Sequence, residues 1–330
     1  MPTFRVATFN LENWDETEPG ESPTLERRIE LTRPQIVRLR ADVVCFQEVH
    51  GQERAGRPRS LIALRELLAG TELDDAELVS TKPAGDDVYD VRNLVVATRF
   101  PVLEATQYRN DLVDEPRYRR LTADPPDDGA VPISVERPIQ HVRLDVGGDA
   151  EQRVLHVVNV HLKSKNPTPI PGGTLDPYTW RTASAWAEGF FLSSLKRMSQ
   201  ALEVRWLVDR IFDEDPDAWI VVAGDFNAEP DDVPVLAIRG DVESTGNGDL
   251  ATRVLVPIER SIPEPARFTL LYQGGGEMID HMLVSRSLLA HFRTSEIHNE
   301  LLHDESVAFA VDDKYPESDH APMVAEFALP

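Results

Sequence analysis

Six groups of polar residues sit where apolar runs stop. Asn10 and Glu12 follow Val6 to Phe9, and Gln47 and Glu48 follow Val43 to Phe46. Asn159, His161 and Lys163 end the run that starts at Val154. Asp225 and Asn227 follow Ile220 to Gly224, Asp280 and His281 follow Met278-Ile279, and Ser318-Asp319-His320 precedes a last run at Met323 to Phe327. A carboxylate at the end of a buried strand needs compensation, because burying an unpaired charge is expensive. Several carboxylates converging on one place, without a lysine cluster to neutralise them, call for a cation. Oxygen donors favour Mg²⁺ or Mn²⁺, with Ca²⁺ as a third option, over zinc, which prefers imidazole and thiolate. Each group also has a plainer reading. Asn10 and Glu12 could end a strand, Gly224-Asp225-Phe226-Asn227 could be an ordinary turn, and Asp319-His320 could be a surface pair.

The elements that must carry these groups are buried strands. The runs Val6 to Phe9, Val43 to Phe46, Leu94 to Ala97, Val154 to Val160 and Ile220 to Ala223 have strand length and no helical period. Leu25 to Leu39, Leu61 to Leu68 and Leu192 to Phe212 carry apolar residues at helical spacing. Shorter strands are expected near Phe268 to Leu271, Met282 to Val284 and Met323 to Phe327. Strands alternating with helices predict an α/β layered fold, and ligands in such folds gather at strand ends. No linker divides the chain, so residues 1–330 read as one domain. Two loops stand out: 110–131, rich in Asp and Pro, and 164–182, rich in Pro and Gly. Long loops in compact domains often serve function.

Taken in order, Thr8-Phe9-Asn10-Leu11-Glu12, Cys45-Phe46-Gln47-Glu48-Val49, Asn159-Val160-His161-Leu162, Gly224-Asp225-Phe226-Asn227, Ile279-Asp280-His281 and Ser318-Asp319-His320-Ala321-Pro322 resemble the motifs of the endonuclease/exonuclease/phosphatase superfamily, the DNase I-like proteins. The resemblance runs from residue 6 to residue 327. It implies a four-layer sandwich of two central, mostly antiparallel β-sheets flanked by helices. It also implies roles. Glu48 is the principal metal ligand, with Glu12 and Asp319 beside it. Asp225 orients or deprotonates the attacking water, while Asn227 and Asn10 hold that water and the phosphate oxygens. His320 contacts the scissile phosphate and Asp280 keeps it charged, as a neighbouring carboxylate does. His161, Asn159 and Lys163 are further phosphate contacts. Whether one metal or two bind stays open. Two departures stand out: no matching motif places the tyrosine common in such nucleases, although Tyr89, Tyr108, Tyr118 and Tyr178 lie in range. His281 stands where a tyrosine often follows the aspartate, and is expected to pack behind the site.

Composition bears on the substrate. The 330 residues hold 34 Lys plus Arg against 57 Asp plus Glu, a formal net charge of −23, with 41% hydrophobic residues. That much apolar material supports a core and argues against disorder. A surface this acidic repels nucleic acid and acidic membranes in general. Residues 52–65 are the exception, with Arg54, Arg57, Arg59 and Arg65 against Glu53, a local +3 directly after Glu48. From 304 to 319, six acids face only Lys314. The single cysteine, Cys45, lies among apolar residues and reads as a core thiol. Trp180 and Trp186 read as anchors of the second loop more readily than as a stacking surface. No run is long enough to cross a membrane as a helix, and residues 1–6 read as a strand rather than a signal peptide. The expectation is a monomeric Mg²⁺- or Mn²⁺-dependent phosphodiesterase, by default cytoplasmic, that cleaves DNA. A phosphatase or phospholipase-type enzyme acting on inositol phosphates or lipid head groups is the alternative. A binding module of the same fold is the third reading.

Overall fold

The computed structural model describes every residue except 1, 19, 84, 86, 148–151, 312, 313 and 330. Asp312 and Asp313 of the acidic 304–319 stretch therefore lie outside the described residues. Twelve strands make two six-stranded sheets: β1 (Thr3–Trp14), β2 (Val43–Val49), β3 (Glu77–Ser80), β4 (Asn93–Thr98), β5 (Val102–Tyr108), β6 (Ile139–Asp145), β7 (Val154–His161), β8 (Trp219–Asp225), β9 (Leu255–Pro257), β10 (Asp280–Ser285), β11 (Phe292–Ile297) and β12 (Met323–Ala328). The first sheet runs β11-β12-β1-β2-β4-β3 and the second β9-β10-β8-β7-β6-β5. Each holds one parallel pair at its centre, β1 with β2 and β7 with β8, and is otherwise antiparallel.

Side chains alternate across each strand, and the apolar ones sort into three layers. Between the sheets, Phe4, Val6, Val43, Cys45, Val96 and Phe327 face Val142, Leu144, Leu155, Val157, Val221, Ala223 and Met282. On the outer face of the first sheet, Ala7, Phe9, Val44 and Phe46 pack under α1 (Leu25–Leu39) and α2 (Ile62–Leu68). On the outer face of the second, Val158, Val160, Ile220 and Val222 pack under α3 (Ala183–Glu214) and α4 (Val233–Arg239). Helix, sheet, sheet, helix is the expected four-layer sandwich. The Cys45 thiol sits in the middle layer, where burial pushes its pKa up and keeps it protonated.

Three features depart from the sequence reading. Strand β1 continues through Asn10 and Glu12 to Trp14, with Glu12 and Asn13 in left-handed backbone at φ 49° and 48°. Helix α3 begins nine residues before Leu192, capped by Thr182, whose side chain accepts from the Ala185 N–H. Strands β3, β5, β6, β9 and β11 lie outside the sequence reading: β5, for one, is largely exposed on the sheet edge, where Glu104 and Gln107 mask the apolar pattern. The strand expected at Phe268 to Leu271 forms at Leu270–Tyr272, outside both six-stranded sheets. Loop 110–131 is tied to α3 by two buried carboxylates. Glu203 accepts from the N–H groups of Asn110, Asp111 and Leu112, and Glu188 from those of Leu121 and Thr122. In loop 164–182, Trp180 packs so closely over Gly189 of α3 that a Cβ there would lie 2.7 Å from its ring. Trp180 is thus an anchor of the loop, while Trp186 stays half-exposed against Phe190.

Gly224 is required by its neighbours. Its φ is 143°, and a Cβ there would lie 1.9 Å from the Val160 carbonyl oxygen on the adjacent strand. Gly224→Ala therefore has to part β7 from β8. Backbone strain plus overpacking should cost about 2–5 kcal/mol. Denaturant unfolding would measure this; a loss below about 0.5 kcal/mol would refute the close-approach argument.

Candidate active site

The layer between the sheets turns polar at one end. Reading every second residue, β1 goes Phe4, Val6, Thr8, Asn10; β2 goes Val43, Cys45, Gln47; β7 goes Leu155, Val157, Asn159, His161; β8 goes Val221, Ala223, Asp225. Register then does the assembly. His161 lies opposite Asp225 on the parallel pair, and Asp225 opposite Asp280 on the next strand, so three site residues form a row across the second sheet. Across the gap, the Asn10 amide donates to Asp225 Oδ2 at 3.1 Å and joins the two sheets.

Asp225 is the centre of this cluster. Its Oδ2 also accepts from Asn227 Nδ2 at 3.0 Å and from His161 Nε2 at 3.2 Å, and its Oδ1 accepts from the Asn227 backbone N–H at 2.7 Å. Burial alone would raise its pKa. His161, the charge of His320 and these donors outweigh burial and hold the carboxyl below the usual range. Because burial lowers the pKa of His161 itself, that ring acts as a hydrogen-bond donor rather than as a cation. His320 Nε2 stands 4.0 Å from Asp225 Oδ2, and its Nδ1 bonds Asp280 Oδ2 at 2.8 Å. Burial would lower the pKa of this histidine, but Asp280 and Asp319 overcome it and lift it well above the ordinary value. An anionic carboxylate and a cationic imidazole thus lie side by side at neutral pH.

The carboxylates expected to hold metal stand on the other side. Glu48 accepts from the Asn13 N–H at 3.1 Å and lies 3.6 Å from His161 Nε2 and 3.9 Å from Arg92 Nε. Burial pushes its pKa up, yet His161, Arg137 and Arg92 together bring it below normal. Glu12 accepts from the Asp319 N–H at 3.2 Å. Burial and the Asp319 charge raise Glu12 to about 8. Burial likewise raises Asp319, whose buried Oδ1 has no hydrogen-bond partner. Among the described residues, no three His, Cys, Asp or Glu side chains converge into a ready-made cage. Mg²⁺ does not demand one, since it is commonly held by one or two carboxylates with waters and substrate phosphate. Two crowded oxygen-donor carboxylates, one with an orphaned oxygen, fit such an ion. Glu12, Glu48 and Asp319 would hold it.

Backbone strain concentrates here. Glu12, Asn13, Glu48 and Asn227 all have positive φ without being glycine, each costing about 1–3 kcal/mol. Such outliers persist where packing over-determines them, and they cluster at functional sites.

Other candidates lie elsewhere. Asn159 is fully buried between the sheets, accepting from Gln47 and donating to Phe46 O and Gln140 Oε1, so it joins the sheets and does not face the cluster. The Lys163 ammonium bonds Ser164 and the Asn166 carbonyl, and burial lowers its pKa to about 8. Arg197 and Gln200 hold that loop through Lys163 rather than facing the cluster. Arg54, Arg57 and Arg59 lie on a hairpin formed by Gln52–Arg54 and Arg57–Ser60. Arg54 pairs with Glu16, and Arg59 lies 3.5 Å from both Glu53 and Asp90, while Arg57 is exposed. The local +3 is largely cancelled by acids distant in sequence. None of the four candidate tyrosines hydrogen bonds to the cluster among the described residues; Tyr118 packs on Phe191 and Tyr178 is exposed. His281 packs behind the site as expected, bonding Glu259 at 2.7 Å and the Ala228 carbonyl at 2.8 Å. Sequence reasoning missed Arg92 and Arg137 beside Glu48, and Arg28 beneath Glu12. Only their arginine identity could have signalled them, and the chain has many arginines.

Residues 7–320 match the Endonuclease/Exonuclease/phosphatase family, and the chain belongs to it. The family acts on phosphoester bonds and generally uses divalent metals. Solved structures with the same fold include an endonuclease/exonuclease/phosphatase from Bacteroides vulgatus, 18% identical over 100% of both chains with a TM-score of 0.55. A 3′ phosphatase from Neisseria bound to a product DNA hairpin is 16% identical over 99% of this chain and 100% of that one, at 0.53. Truncated TDP2 from Caenorhabditis elegans is 14% identical over 99% and 98%, at 0.56. At these identities the likeness is one of fold. No curated protein shows a significant sequence match. No helix among the described residues is long and apolar enough to cross a membrane.

Proposed function

We propose that this chain is a divalent-cation-dependent phosphodiesterase that hydrolyses DNA. The observation that carries the reading is the pairing of Asp225 with His320: a carboxylate held anionic by Asn10, Asn227 and His161 lies beside an imidazole held cationic by Asp280. Asp225 orients a water and takes its proton as that oxygen forms the new bond to phosphorus; the bond to the leaving oxygen breaks, and that oxygen takes a proton from solvent. His320 Nε2–H faces the phosphate oxygens and offsets the charge they gain. Asn10 and Asn227 fix the Asp225 carboxylate so that one lone pair meets the water. A cation at Glu12, Glu48 and Asp319 would supply Lewis-acid neutralisation of the phosphate.

The engaged hairpin arginines favour a second reading, a small phosphate ester, because they leave little basic track for a long polyanion. Incubating plasmid and single-stranded DNA with Mg²⁺, Mn²⁺ or EDTA, beside inositol phosphates, separates the two. Metal-dependent cleavage abolished by EDTA is expected. Intact DNA together with brisk phosphate release from the small esters would replace the first reading with the second.

A further inference from the structure

Arg28 lies in the first turn of α1, remote in sequence from every motif above, yet its guanidinium gathers four backbone carbonyls. Nη2 donates to Leu11 O at 2.9 Å and Glu12 O at 2.8 Å, Nη1 to Asn13 O at 3.2 Å, and Nε to Pro316 O at 3.4 Å. The same group lies over the Trp14 ring, 4.7 Å from its centroid. Two of these carbonyls belong to the left-handed residues Glu12 and Asn13, the third to Leu11 just before them, and the fourth to the segment that leads into Asp319. Each carboxylate expected to hold metal is reached through this clamp. Glu12 is within the clamped stretch. Glu48 accepts from the N–H of Asn13, whose carbonyl Arg28 holds. Asp319 follows Pro316 by three residues and donates its own N–H to Glu12. Helix α1 is itself fixed at this end by the Thr24 cap, which accepts from the Arg27 N–H.

We propose that Arg28 is the positioning residue of the metal centre, setting the approach of Glu12 to Asp319 and of the Asn13 amide to Glu48 by gripping the backbone of both segments. A planar guanidinium with five donors can span carbonyls from two chain segments at once, whereas a lysine ammonium offers three donors from a single point. Arg28 touches neither substrate nor metal; it acts through the shape of the backbone.

The inference rests on the cation reading given above, and the test separates the two. Mn²⁺ binding to the full chain without substrate, followed by electron paramagnetic resonance of free Mn²⁺, is compared for wild type, Arg28→Lys and Arg28→Gln. Supporting shells of metal sites are worth about 10–100-fold in affinity. A rise of that size in the Mn²⁺ dissociation constant is expected for both variants, with native circular dichroism retained. In a Glu12→Gln background the same change at Arg28 should add less than about 3-fold, because coupled residues act non-additively. Unchanged Mn²⁺ affinity in folded variants would overturn the role of Arg28 alone. Absence of Mn²⁺ binding by the wild type would overturn the cation reading and this inference with it. Loss of native circular dichroism in both variants would mark Arg28 as a folding residue and overturn it as well.

Discussion

Asp225→Asn should leave a folded protein that cleaves DNA about 10²–10⁴-fold more slowly at saturating Mg²⁺, the usual worth of a positioned general base. The substitution keeps shape and removes the charge. Asp225 is buried and accepts four hydrogen bonds, from Asn10 Nδ2, His161 Nε2, Asn227 Nδ2 and the Asn227 N–H. An amide can satisfy only part of that donor set, and the surroundings that hold the Asp225 carboxyl below its usual range favour the anion over any neutral group. Thermal stability should therefore fall while the fold is kept. Parallel melting curves and single-turnover cleavage rates would check both halves. Activity within 3-fold of wild type would remove Asp225 from the chemistry.

The second large effect belongs to His320. His320→Ala should lower cleavage by about 10²–10³-fold, the range for loss of one preorganised donor to developing negative charge. The partner variant gives a pH signature. The imidazole has to be protonated, so activity persists below its pKa and falls as pH rises through it. Because Asp280 and Asp319 hold that pKa well above the ordinary histidine value, the wild-type alkaline limb should lie well above pH 6.5. Asp280→Asn takes away the main group that opposes burial. The pKa then drops, and the alkaline limb of kcat should move to lower pH while the acid limb stays. A pH profile unchanged in Asp280→Asn would mean that His320 does not act as a cation. The His161 ring, also within reach of Asp225, would then be the group to examine.

The acidity of the chain takes a different meaning once the site is seen. Glu12, Glu48, Asp225, Asp280 and Asp319 count toward the formal net charge of −23, but at the proposed site His320 and a bound cation would offset them. Electrostatic steering of a long polyanion would need a basic track, and two of the three hairpin arginines that could have supplied one are paired, Arg54 with Glu16 and Arg59 with Glu53 and Asp90. Binding of DNA should accordingly be weak, with a shallow salt dependence, because few phosphates would meet a free basic side chain.

Sequence alone determined the central buried strands and what stands at their ends. Buried strands need unbroken apolar runs, so Val43 to Phe46 and Ile220 to Ala223 could hardly be anything else, and a carboxylate just past such a run has few structural uses. That logic reaches Glu48 and Asp225 without any three-dimensional knowledge, whereas Asp280 and Asp319, which stand ahead of the apolar runs at Met282 and Met323, are reached through the motif resemblance. Tertiary structure decided what each polar side chain meets. Asn159 and Asn10 look alike in sequence, both polar and both on an inward-facing stripe. Asn159 lies one step deeper, where Gln47 and Gln140 saturate it, and Asn10 lies level with Asp225. The hairpin arginines look free until Glu16 and Asp90 come in from other segments. Arg28 looks like surface charge on an amphipathic helix until the fold lays it under residues 11–13 and 316. Periodicity records which face of an element is buried. Hydrogen bonds between segments hundreds of residues apart leave no mark in it, and those bonds set the geometry of this site.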